Sequence, residues 1–164
     1  MMFGLMQAAH RALDLATSAP LSVGSVAPAF DLQNQAGLRQ RSSDLAGTPF
    51  VLVFYPRDDT PICTMQLRDF NAGRETWSAS GVRVFGVNSG DARSHASFCE
   101  RLGLGFDLLV DDGAALASEY RATFGAIRQV RRTVYAIGRD GRIAFAERGT
   151  PAPELVLASI GLKP

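Results

Sequence analysis

The run Phe50-Val51-Leu52-Val53-Phe54-Tyr55 constrains the fold of this 164-residue chain more than any other feature. Consecutive apolar, β-prone side chains leave no polar face, so a strand here must be covered on both sides. Two more such runs follow, Val82 to Asn88 and Phe106 to Val110. The segments between them carry helical signals. Thr60-Pro61 opens one, because Thr suits the N-cap and Pro the first helical position. It is predicted to run through Phe70 toward Ser80, with Gly73 weakening its middle. Ser94 to Leu102 reads as a second helix, ended by Gly103 and Gly105. Ala114 to Arg121 reads as a third, opened by Asp111-Asp112-Gly113. Arg132 to Gly138, an Asp140-Gly141 turn and Arg142 to Glu147 read as a β-hairpin, and Pro153 to Ile160 as a closing helix. Buried strands separated by helices predict an α/β fold with a partly parallel sheet, and the late hairpin makes that sheet mixed.

Ahead of this core, Phe30 to Gln33 reads as a short strand, with turn chemistry at Asn34 to Gly37. Ser42 to Leu45 reads as one helical turn. Further upstream, Leu5, Ala9, Ala12, Leu13 and Ala16 share one face of an amphipathic helix over Met2 to Ala16. That helix fits a surface decoration or a docking element for a partner or second subunit. A secretory leader fits it less well, because the segment lacks a basic start and His10, Arg11 and Asp14 interrupt the apolar stretch. The division expected is a helical extension over 1–20 and a single domain over 21–164. The compartment expected is the cytoplasm.

Charge and cysteine content narrow the function. A formal net charge of +1 supplies no field to collect nucleic acid or an acidic membrane surface. No apolar run approaches the ~20 residues of a membrane-spanning helix. Two cysteines, Cys63 and Cys99, cannot form a disulfide framework. They are a structural bridge, a reactive pair or two inert thiols, and an intracellular setting favours a redox role.

Cys63 falls in the first turn of the helix that follows the Phe50–Tyr55 strand. Free N–H groups and the helix dipole favour negative charge there. A free thiol has a pKa near ~8.5, and helix N-termini or nearby cations bring it to roughly 3.5–7.5. The thiolate is the nucleophile, so the position makes an ordinary thiol reactive. The competing reading is a small buried hydrophobe, common for free cysteine.

The segment Val53-Phe54-Tyr55-Pro56-Arg57-Asp58-Asp59-Thr60-Pro61-Ile62-Cys63-Thr64 resembles the peroxiredoxin signature Pro-x-x-x-Thr-x-x-Cys. It is most similar to the bacterioferritin-comigratory, or Q-type, branch, which typically reads FYPxDDTPxCT. The likeness extends to Val23–Phe30, Phe106–Asp111 and Arg132–Gly141, and so covers nearly everything from Val23 to Ile160. It implies a thioredoxin-like fold and a cofactor-free hydroperoxide reductase. By position, Cys63 matches the cysteine that attacks peroxide and Thr60 the hydroxyl that bonds thiolate and peroxide. Pro56 matches the residue that shields the pocket, and Arg132 the arginine brought to the sulfur. Thr60 also reads simply as a helix cap, and Arg132 as a surface strand arginine. Of the adjacent arginines, alternation makes Arg131 the solvated one.

The resemblance also implies a resolving thiol, since a cysteine sulfenic acid left alone over-oxidises. Many relatives carry it five residues along the same helix, where this chain has Arg68. Cys99, in Ser94-His95-Ala96-Ser97-Phe98-Cys99, resembles the resolving cysteine that other Q-type members place on the next helix. The resulting disulfide would be recycled by thioredoxin or a similar dithiol. The other possibility is a one-cysteine peroxidase resolved by an outside thiol. Disulfide geometry needs Cα atoms within ~4.4–6.8 Å, so local unwinding around both cysteines is expected in each cycle. Members of the branch are often monomers, and a homodimer is the other expected state.

Departures from the branch are Ile62 for a frequent Gly, Gln66 for a frequent Glu, and Gly105 where Leu-Pro-Phe is usual. Rival functions fit less well. A thiol–disulfide oxidoreductase would need Cys-x-x-Cys, and position 60 is Thr. A metal centre could use His95 and Cys99, four apart on a helix, with Cys63, but no paired ligand motif supports it. His95 is expected to cap or decorate the start of its helix. A non-catalytic thioredoxin-like interaction protein would leave the Cys63, Thr60 and Arg132 set without a purpose.

Overall fold

The computed structural model describes residues 19–162. The expected helix over Met2 to Ala16 lies outside the described residues. The buried Phe50–Tyr55 run forms β3 (Phe50–Phe54), the middle strand of a five-stranded sheet. β4 (Arg83–Asn88) and β5 (Asp107–Val110) lie parallel on one side of it. On the other side β8 (Thr133–Ile137) and β9 (Ile143–Arg148) run antiparallel. The order is β5-β4-β3-β8-β9, the mixed sheet that the pattern predicts.

Side chains of β3 alternate between two buried apolar layers. Phe50, Leu52 and Phe54 join Phe30, Phe85, Tyr120 and Tyr135 on one face. Val51, Val53 and Tyr55 join Cys63, Leu67, Phe70, Trp77, Phe98 and Val156 on the other. The second face is roofed by helices α1 (Pro61–Ala72), α2 (Arg74–Ala79), α3 (Ala92–Leu102) and α5 (Pro153–Ala158). The first is covered by α4 (Ala115–Glu119), a 3-10 turn over Ser42–Leu45 and two small hairpins. One hairpin pairs β1 (Asp31–Gln33) with β2 (Arg39–Arg41), as the Asn34–Gly37 turn predicts. The other pairs β6 (Thr123–Phe124) with β7 (Ile127–Val130), and its sequence gives no clear alternation.

Two helices differ from expectation. The helix opened by Pro61 does not run to Ser80, because Gly73 divides it into α1 and α2. The segment after Asp111 starts as a 3-10 turn, Asp112–Ala114, before α4 begins. The Asp111 carboxylate sets that start by accepting the N–H groups of Leu116 and Ala117, both at 2.8 Å. α3 ends as predicted, at Gly103 with φ 59°, a left-handed residue that glycine adopts without strain. Gly105 also has a reason to replace proline: its N–H donates to Asn71 Oδ1 at 2.8 Å, a bond proline cannot make. Asn71 Nδ2 in turn donates to Gly103 O at 3.1 Å, so one side chain of α1 fixes the exit of α3.

Candidate active site

β3 ends where α1 begins, and the register of β8 brings the other half of the site to the same place. Phe54 pairs with Thr133 across the antiparallel ladder. Arg132, one residue before Thr133, therefore sits beside the start of α1 although it is 69 positions from Cys63. Its Nη2 donates to Cys63 Sγ at 3.3 Å. Its Nη1 donates to Gln66 Oε1 at 2.8 Å, and Gln66 Nε2 donates to Gly149 O at 3.3 Å. The guanidinium is thus held by a neutral amide one helical turn from the sulfur. A glutamate at position 66 would share the cation's charge; glutamine leaves it for Cys63.

Cys63 is 1% exposed, in the first turn of α1. The first bond within the helix runs from Thr64 N–H to Thr60 O at 2.9 Å. The N–H groups of Ile62 and Cys63 therefore have no partner within the helix and add positive potential at the sulfur. Thr60 occupies the N-cap position, yet its side chain makes no cap bond. Its hydroxyl donates instead to Arg57 O at 3.2 Å, across the loop. Pro56 and Thr60 are both half-buried on the loop that leads into α1. That loop turns through Asp59 at φ 63°, a left-handed geometry that Asp tolerates better than most residues. Ile62, beside the sulfur, is 54% exposed and presents an apolar rim where glycine would present none.

Cys99 lies in α3, half-buried against the same apolar layer as Cys63, and the two thiols are unbonded. Burial, with the carboxylates of Asp107 and Asp58 nearby, pushes the Cys99 thiol up to about 12. In this conformation it is protonated and a poor nucleophile. Arg68, the position of the alternative resolving cysteine, is exposed on α1.

Two arginine and histidine readings need correction. Arg131 is half-buried rather than solvated, and its guanidinium lies 5.5 Å over the Phe124 ring. The β6–β7 hairpin, which sequence reasoning missed, supplies that ring. His95 neither caps nor decorates its helix. It is fully buried, and the cap is Asp91, whose side chain accepts from Ser94 N–H at 2.8 Å. His95 Nδ1 is 2.7 Å from Asp58 Oδ2 and Nε2 is 3.0 Å from Leu109 O. Both ring nitrogens are occupied, so His95 has none to offer a metal.

Asp58 is the residue the sequence argument passed over. Besides His95 it accepts from Tyr55 Oη at 2.6 Å, Asn88 Nδ2 at 3.0 Å and Ser94 Oγ at 2.7 Å. Burial alone would raise its pKa, but the bonds from His95 and Tyr55 outweigh burial and hold the carboxyl down at about 2. Its place in the run Arg57-Asp58-Asp59 was the available signal. Nothing local distinguishes it from Asp59, which is exposed and pairs with Arg101 on the outside of α3.

A mixed five-stranded sheet, a cysteine at a helix start and an arginine delivered from an antiparallel neighbour define a thioredoxin-like peroxiredoxin fold. The AhpC/TSA family model matches residues 23–146. Peroxiredoxin Q of Triticum aestivum chloroplasts is 34% identical over 82% of this chain and 62% of its own length. The chloroplastic peroxiredoxin Q of Sedum lineare is 31% identical over 83% of this chain and 74% of its own length. Among solved structures, Xanthomonas campestris peroxiredoxin Q superposes with a TM-score of 0.72 at 25% identity, covering 86% of this chain and 93% of that one. The chain belongs to the AhpC/TSA family, in the Q-type, bacterioferritin-comigratory branch of the peroxiredoxins. It spans about three fifths of the length of the first curated relatives it matches.

Proposed function

We propose that this chain is a two-cysteine thiol peroxidase that reduces hydrogen peroxide and organic hydroperoxides. The observation that carries the reading is Arg132 Nη2 at 3.3 Å from Cys63 Sγ, at the open end of α1. The Cys63 thiolate attacks the terminal peroxide oxygen. An S–O bond forms, the O–O bond breaks, and its electron pair leaves on the departing oxygen. That oxygen takes a proton and leaves as water or an alcohol. Arg132, the Ile62 and Cys63 N–H groups and a reoriented Thr60 hydroxyl stabilise the charge that develops on it. Pro56 shields the sulfur from bulk solvent. No cofactor is needed, because the sulfur supplies both electrons.

Cys63 is then a sulfenic acid. The Cys99 sulfur attacks it, the S–S bond forms and water leaves. Thioredoxin or a similar dithiol then reduces the bridge by two exchange steps and ends as a disulfide itself. Because Cys99 is protonated and held in α3, this step requires α3 to open, and opening also lets the thiol ionise.

Intact mass after one equivalent of hydrogen peroxide tests the cycle. Wild type is expected to lose two hydrogens, Cys63→Ser to show no fast change, and Cys99→Ser to accumulate oxygen adducts. Oxygen addition without a disulfide in wild type would leave a one-cysteine peroxidase and remove Cys99 from the mechanism. No rapid reaction would overturn the peroxidase reading.

A further inference from the structure

The helix that carries Cys99 is tied by one buried carboxylate to the loop that precedes Cys63. Asp58 stands five residues before Cys63, on the loop that forms the floor of the site. Its side chain is 5% exposed and takes four hydrogen bonds. Two come from the β3 and β4 ends, Tyr55 and Asn88. The other two come from the first turn of α3, Ser94 and His95. His95 faces the Asp58 carboxylate with Nδ1 and the Leu109 carbonyl with Nε2, so both ends of the buried ring are engaged. The contact with Asp58 is therefore a short hydrogen bond between two buried side chains. Cys99 lies one turn further along α3, next to Phe98, whose ring packs on Tyr55 at 6.3 Å. The exposed Asp59–Arg101 bridge on the same two elements is solvent-screened and adds little.

We propose that the Asp58–His95 pair is a latch that holds the Cys99 helix against the peroxide-reacting loop and sets how readily Cys99 is released to resolve the Cys63 sulfenic acid. The proposal rests on the two-cysteine reading above. Neither residue touches the sulfur, so both are positioning residues. Opening α3 separates His95 and Ser94 from Asp58 together, which makes release a concerted step rather than fraying. The latch keeps the sulfenic acid waiting, so it also determines how long Cys63 stays open to a second peroxide. Breaking one partner of a buried pair costs far more than losing a surface bridge, so the effect on opening is large.

The test separates the two chemical steps in one stopped-flow and mass-spectrometric series on the full chain. In His95→Gln the peroxide step is expected to stay within a few-fold of wild type, while disulfide formation accelerates by about tenfold or more. Over-oxidation at high peroxide should fall in step. Amide exchange should quicken across Ser94–Leu102 and stay unchanged in β3 and β4, a split that general destabilisation would not produce. Ser94→Ala removes one hydrogen bond and keeps the His95 contact, so it should shift resolution the same way by less. An unchanged resolution rate in His95→Gln, or faster exchange throughout the sheet, would overturn the latch. A wild type that forms no Cys63–Cys99 disulfide would overturn the two-cysteine reading first, and that outcome is seen before any latch variant is compared.

Discussion

Cys63 and Cys99 are the same side chain in opposite electrostatic settings. Cys63 sits at a helix start, where unpartnered N–H groups and the Arg132 fork meet the sulfur. Cys99 sits inside a helix, where burial first, and then the carboxylates of Asp107 and Asp58, push its thiol up to about 12. Both are buried, Cys63 the more so. The difference lies in the sign of the nearest charges. In the proposed cycle one thiol attacks in the folded state, and the other only after its helix opens. On that reading a single fold holds two cysteines unbonded until peroxide arrives.

The largest test of that contrast is Arg132→Met, which keeps the stem and removes the fork. It is expected to slow the reaction of Cys63 with peroxide by about 10²–10³-fold in competition kinetics. The thiol environment of Cys99 should not change. A rate within a few-fold of the parent would mean that the helix terminus alone activates Cys63.

Gln66→Glu sharpens the same comparison by bringing a carboxylate to the Cys63 side. The new charge would share Arg132 Nη1, now bonded to Gln66 at 2.8 Å, and oppose the thiolate. The expected cost is about tenfold in the peroxide step, the equivalent of one pKa unit. A faster enzyme would show that the amide is a poorer orienting group than the acid.

On the Cys99 side the expected effect is a pH dependence, absent at neutral pH. The folded thiol titrates at about 12 and the released one near 9.0, so folding favours the protonated form. The stability of α3 is therefore complete below pH 9 and is lost as pH rises from 9 toward about 12. Amide exchange of α3 should accelerate across that window in wild type and not in Cys99→Ala. Equal dependence in both would assign the effect to another group.

Some of this arrangement was legible in the chain alone. The apolar β3 run reads as a strand buried on both faces, and Thr60-Pro61 as a helix start, so the placement of Cys63 was readable. Gly103 likewise announced the end of α3. The β6–β7 hairpin was not readable, because Ile127 to Gln129 face outward and carry no alternating pattern. His95 was misread because a lone histidine near a helix start is ordinary on a surface. Only the packing of α3 on the sheet buries it against Asp58.

What the sequence determined by itself is the set of local decisions: strand, turn, cap, and a thiol at a helix start. Each depends on residues within a few positions of one another, where propensity and hydrophobic period act. What only the tertiary structure decided is which distant groups meet. The β3–β8 register carries Arg132 to Cys63, and the docking of α3 carries His95 to Asp58, 37 positions away. Those meetings decide which charges surround each sulfur, and charge interacts through space rather than along the chain.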